Sequence, residues 1–251
     1  MISSIYRRAR FVLISRFFRL LGIALLSALV TGVLSTLFGI VPGVAIVISL
    51  AINTALTTVF LTAYYGDRPR ASDMFLCFKD AKTFMRVIGG MAWMILRIAL
   101  WTLIPVVGWI FAMIKAYSFR LTPYILINEP EIPATRAIRV SAKRTKGFRG
   151  KIFWADVLAV LYVVAVVLAL VLLGGSAILT MKFFEVSAIA NTIVGASFAT
   201  LIALALAFSA IYIPLFLRLV DAAFYARIPS REDELVEITD NIGAPDEPAT
   251  I

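Results

Sequence analysis

Long apolar runs separated by short charged connections dominate the chain. They lie at roughly residues 20–37, 44–65, 87–103, onward to 127, 152–173 and 191–217. About 20 apolar residues make a helix long enough to cross the roughly 30 Å hydrocarbon core of a bilayer. In lipid a spanning segment must satisfy its own backbone, which favours helices over isolated strands. The pattern therefore predicts an all-α, polytopic membrane protein of about six transmembrane helices in three hairpins. Turn residues place the hairpin tips at Pro42 and Gly43, at Pro105 and Gly108, and at Gly174 and Gly175. The residues before the first run, "MISSIYRRARFVLISRFFR", predict an amphipathic helix lying on the membrane surface. Their basic stretch is too extended for a cleaved signal, so the first run is expected to remain as a span.

Charge orients this arrangement. Arg7, Arg8, Arg10, Arg16 and Arg19 flank the first span, and Arg68, Arg70, Lys79, Lys82 and Arg86 lie between the second and third. Residues 136–151 carry seven more basic side chains, and Arg218, Arg227 and Arg231 follow the sixth span. Connections on the opposite side hold one basic residue, Lys182. Basic residues collect on the cytoplasmic side, so both termini are expected there. Residues 1–231 form one membrane-embedded domain, and the acidic stretch 232–251 is expected to be a disordered cytoplasmic tail. Its acids complement the basic stretch in charge, so docking of one on the other is a further expectation.

That basic stretch, "PATRAIRVSAKRTKGFRGK" at 133–151, has helix punctuation. Pro133 suits a first turn and Gly147 a stop. On a helix Arg136, Arg139, Lys143 and Lys146 share one face, while Ala137, Ile138, Ser141 and Ala142 mostly point elsewhere. Together with Arg144 they are candidates for contact with anionic lipid, worth about 1 kcal/mol per basic residue near the surface. The plainer alternative is a loop that only sets topology. No aromatic-interleaved or groove-reading motif accompanies the charge, so nucleic acid is not expected as a partner.

Charges inside the apolar runs form a second candidate site. Arg97 lies eleven residues beyond Arg86, and Lys115 ten residues beyond Pro105. Arg120 sits deeper than its loop requires, and Asp156 lies about one turn inside the fifth span. Intramembrane charges are costly and are functional suspects. Asp156 is expected to pair with Arg120, and Arg218 with Asp221 at three-residue spacing. Arg97 and Lys115 have no acid at their depth. They snorkel, or line a polar cavity that accepts an anion, or belong to shallow segments that never reach mid-membrane. Asn53, Thr54, Thr57 and Thr58 give the second span a polar face suited to helix–helix contact. On the sixth span Gly195, Ala199, Ala203 and Ala207 form a small-residue stripe, read first as bundle packing and second as a homo-oligomer contact.

Composition narrows the function classes. The chain is 61% hydrophobic and only 16% charged, with a net charge of +9 and no histidine. Soluble domains carry roughly 25% charged residues. Without histidine the usual metal sites and Ser-His or Cys-His constellations are missing, and no Walker or dinucleotide-binding loop is present. No catalytic residue, metal or cofactor is expected. Cys77, the single cysteine, reads as a reduced structural thiol.

From the fourth span onward the residues resemble a known pattern. Tyr117, Ser118, Tyr124, Pro130, Ala137, Ile138, Ser141, Lys146, Gly147 and Phe153 fall where the bacterial integral membrane family known as domain of unknown function 975 has its signature. "DRPRASDMFLCFKD" and "DAAFYARI" resemble its cytosolic segment and its close. Phe148 stands where that family often has a histidine, and the acidic tail lies outside its pattern. A related pattern occurs in the membrane portion of some glycerophosphodiester phosphodiesterases. The resemblance implies a six-span protein of the bacterial cytoplasmic membrane and no established biochemistry. The leading expectation is a non-enzymatic accessory or scaffold protein whose basic cytoplasmic face meets anionic lipid or a membrane-protein partner. The alternative is a transporter or lipid-translocating protein built around an intramembrane polar cavity.

Overall fold

A computed structural model describes residues 2–38, 42–105, 107–184 and 187–227. The acidic tail and Arg231 lie outside the described residues. In chain order the helices are α1 (Ile2–Leu37), α2 (Pro42–Tyr65), a 3-10 helix (Ala71–Phe78), α3 (Ala81–Thr102), α4 (Val107–Ser118), α5 (Thr122–Asn128), α6 (Ala134–Arg144), α7 (Arg149–Phe183) and α8 (Ala188–Arg227). Six stretches, the fourth joining α4 to α5, are long and apolar enough to cross a membrane. The chain is an all-α, multi-pass integral membrane protein.

α1 is two helices joined at Arg16, whose backbone (φ −128°, ψ 18°) is not helical. The Arg16 guanidinium donates to the carbonyls of Gly66 and Asp67. It thereby satisfies backbone acceptors at the end of α2, where Gly66 takes a left-handed φ of 105°. The kink is thus tied to the neighbouring helix terminus. Before it, Ile5, Ala9, Val12 and Leu13 are buried in the core, and Tyr6 stacks on Phe216 of α8 with ring centroids 6.0 Å apart. Phe11 and Ile14 lie uncovered on the other side. The N-terminal helix therefore has two apolar faces, one for the protein and one free for lipid.

Packing is uneven along the bundle. The largest buried side chains include Leu13, Phe60, Met74, Ile125, Ile138, Ile152 and Phe224, all toward the end where the basic flanks gather. Toward the hairpin tips, large apolar side chains such as Leu172, Leu173, Ile189 and Ile193 are exposed. A helix apolar all round needs no protein cover in hydrocarbon.

Two boundaries differ from the sequence expectation. The third hairpin does not turn at Gly174 and Gly175, because α7 continues to Phe183. In lipid, breaking the helix would strand backbone groups without water, so two glycines in an apolar run stay helical. A Cβ on Gly174 would lie 2.8 Å from the Phe198 ring, so this glycine permits close approach of α7 to α8. Further along, Gly195 faces Ile178, whereas Ala199, Ala203 and Ala207 are uncovered; the packing role holds at Gly195 alone.

The fourth segment is broken at 119–121. Pro123 supplies the reason: it has no N–H for the Phe119 carbonyl, and its ring would clash with that carbonyl in a continuous helix. Proline is tolerated in the first turn of α5 instead. α4 alone, at 12 residues, is about 18 Å long, well short of the roughly 30 Å hydrocarbon core.

Candidate functional site

The site is organised around the break between α4 and α5, where three features meet. The first is α6. Its Ala137, Ile138 and Ser141, with Thr145 just past its end, are fully buried. The Ser141 and Thr145 hydroxyls both donate to the Ser118 carbonyl at 3.0 Å. They occupy an acceptor left without a helical partner at the end of α4. Arg136, Arg139 and Lys143 stand exposed on the opposite side, sharing a face as their spacing predicts, whereas Lys146 is exposed in the turn after the helix ends at Arg144. Gly147 takes a φ of 89°, the left-handed conformation that lets the chain leave the helix.

Arg144 corrects the expectation. Rather than facing lipid, its guanidinium meets the Glu129 carboxylate with Nη1–Oε1 and Nη2–Oε2 at 2.5 and 2.8 Å. Tyr225 of α8 donates to the same Oε1 at 2.8 Å. Burial works against the Arg144 charge, but the Glu129 carboxylate outweighs it and raises the Arg144 pKa. This bidentate contact fixes α6 to the end of α5, and Tyr225 ties both to α8. Nearby, Arg86 donates to the carbonyls of Leu126, Glu129, Pro130 and Ile132, closing the connection below α6. Arg149 donates to the Ala142 carbonyl at 2.8 Å. Arg86, Arg144 and Arg149 thus hold the basic end together.

The second feature is an ionic cluster. Arg120, in the break, meets Asp156 of α7 through Nη1–Oδ2 at 2.5 Å and Nη2–Oδ1 at 3.1 Å. The expected pair is present. Its Nε also donates to both oxygens of Asp221 of α8, at 2.9 and 3.0 Å. Tyr117 donates to Asp156 Oδ2 at 3.0 Å. One guanidinium therefore joins α7, α8 and the α4–α5 break. The expected Arg218–Asp221 pair does not form as a contact. Arg218 instead donates to Asn53 Oδ1 at 2.9 Å and lies 5.7 Å from the centre of the Phe60 ring. Asp221 turns toward Arg120, which offers it two hydrogen bonds. Of the α2 polar residues, Asn53 alone reaches another helix by a hydrogen bond; Thr54 and Thr57 donate to carbonyls of their own helix.

The third feature is a cavity of about 400 Å³ lined by Arg97, Leu100, Trp101, Ile104, Lys115 and Phe119. The structure brings Arg97 and Lys115 together here, apart from the Arg120–Asp156 pair with which the sequence grouped them. Neither cation makes an ion pair among the described residues. Their neighbours are apolar, so two positive charges stand over a hydrophobic wall without an anion. A second, larger hollow of about 530 Å³ lies among α1, α2 and α8, with Ser27, Thr31, Asn53 and Arg218 among its lining.

Two contributions were missed in the sequence. Asp221 was assigned to its neighbour in sequence, and Glu129 had no role. Glu129 did carry a signal, as an acid placed shortly before the basic run that begins at Arg136. Among the described residues no three His, Cys, Asp or Glu side chains are placed to hold a metal ion. No protein-family model matches the chain, and neither the curated proteins nor the solved structures include a detectable match to it.

Proposed function

We propose that this integral membrane protein is a non-enzymatic accessory or scaffold of the bacterial cytoplasmic membrane, whose basic cytoplasmic face binds anionic phospholipid. The observation that carries this reading is the division of α6. One face is buried against α3, α4 and α5, and the other presents Arg136, Arg139 and Lys143, with Lys146 in the turn that follows, none of them meeting a carboxylate among the described residues. A helix needed only for topology would not require a docked apolar face and a free basic one. The resemblance of the 117–153 region to a bacterial membrane family belongs to the same proposal. Translocation is supported less well, because Arg120, Asp156 and Asp221 are engaged with one another rather than facing an open path.

The test uses the protein reconstituted in phosphatidylcholine vesicles with spin-labelled phosphatidylglycerol or phosphatidylcholine as probe. Wild type should hold more motion-restricted phosphatidylglycerol than phosphatidylcholine, and this preference should fall with added salt. Changing Arg136, Arg139, Lys143 and Lys146 to Gln together should remove most of the preference. An unchanged preference in that variant would contradict the reading.

A further inference from the structure

The cavity on the α3–α4 hairpin is separate from the α6 face and has chemistry of its own. Gly108 closes the hairpin tip: a Cβ there would overlap the Trp101 carbonyl oxygen, so the two helices approach closely. Trp101 stacks on Phe111 just inside the tip, with centroids 5.1 Å apart. At its other end α4 stops at Ser118, against α6. The tip therefore lies only about 18 Å from the level of α6, since α4 has 12 residues at 1.5 Å each. That is little more than half the hydrocarbon thickness. Lys115 lies three residues before Ser118, about 5 Å deeper than the α6 contact. Arg97 shares its cavity.

From this geometry we infer that the α3–α4 hairpin dips into one leaflet without crossing it and holds the phosphate of an anionic phospholipid between Arg97 and Lys115. The inference rests on the reading that α6 lies at the cytoplasmic membrane surface. At that depth a lipid phosphate and its glycerol are the neighbouring groups. Arg97 offers a planar fork and Lys115 a point charge, a pairing suited to a phosphate diester. Leu100, Trp101, Ile104 and Phe119 provide an apolar wall for an acyl chain, which a free phosphate would leave unused. Two cations that make no ion pair among the described residues are costly in one apolar cavity, and a bound lipid phosphate removes that cost.

Native mass spectrometry of the detergent-purified full chain tests this, with dioleoylphosphatidylglycerol, dioleoylphosphatidylcholine and inorganic phosphate titrated separately. Wild type should take up a first phosphatidylglycerol at least tenfold more tightly than phosphatidylcholine. Millimolar inorganic phosphate should not displace it. Arg97→Gln with Lys115→Gln should abolish the tenfold preference, whereas Arg97→Lys with Lys115→Arg should keep most of it. Both variants change side chains that make no ion pair among the described residues, and the charge-retaining one separates loss of the site from loss of the fold. The four-residue α6 variant should retain this first lipid while losing weaker ones. Wild-type binding in the Arg97→Gln, Lys115→Gln variant would overturn the site while leaving the α6 reading intact. Displacement by inorganic phosphate would overturn the choice of a lipid.

Discussion

Replacing Arg120 with methionine is expected to cost about 3 kcal/mol or more of stability, the magnitude typical of stripping one partner from a buried ion pair. The arginine side chain is 23% exposed, and those of Asp156 and Asp221 are 20% and 14% exposed. Without the guanidinium, two carboxylates from α7 and α8 face each other, and among the described residues only Tyr117 still donates to one of them. Their repulsion acts where both helices join the rest of the bundle. Equilibrium unfolding in mixed micelles, as the SDS fraction is raised, measures the loss. The combined change Arg120→Met, Asp156→Leu and Asp221→Leu should recover much of it, because an apolar trio leaves no charge uncompensated. A loss below about 1 kcal/mol for Arg120→Met would show that the cluster is solvated enough to be dispensable.

Gly108→Ala is expected to cost about 2–3 kcal/mol, because the added methyl would overlap backbone rather than a movable side chain. The Cβ would overlap the Trp101 carbonyl oxygen and lie 2.7 Å from Ile104 Cβ. The tip must open, separating Trp101 from Phe111 and enlarging the cavity that holds Arg97 and Lys115. The same unfolding titration reads the effect. Gly150→Ala is the control: it lies in the first turn of α7 with open space at its Cβ. There alanine should be neutral or stabilising by up to about 1 kcal/mol, since it favours the helix over glycine. Equal effects at the two glycines would remove the tight tip from the account.

Much of the fold was legible because lipid imposes simple rules. Long apolar runs became helices, and the spacing of Arg136, Arg139 and Lys143 placed them on one exposed face of α6, with Lys146 just beyond its end. The Arg120–Asp156 pair was legible because each was a charge inside an apolar run with no nearer partner. Gly174 and Gly175 misled, since in water two glycines often mark a turn, whereas in lipid both remain helical and Gly174 lets α8 come close. The break at 119–121 had a visible sign in Pro123, but the surrounding apolar run reads as continuous. Asp221 and Arg144 were harder. Their partners lie 101 and 15 residues away in sequence, and only tertiary packing decides between a distant partner and a near one. Arg97 and Lys115 were recognisable as unpaired, but their meeting in one cavity depends on the sharp tip at Gly108.

The proposed role depends on which side of the membrane the packed, basic end occupies, and labelling with a membrane-impermeant maleimide tests this directly. The native Cys77 is buried, and burial pushes its thiol up to about 11, so it should stay silent at neutral pH. Lys143→Cys places a thiol on the exposed face of α6, and Ser187→Cys places one at the exposed residue just before α8. In intact bacterial cells Ser187→Cys should label at once, and Lys143→Cys only after the membrane is permeabilised. Labelling of Lys143→Cys from outside would put the basic face away from the cytoplasm and contradict the account.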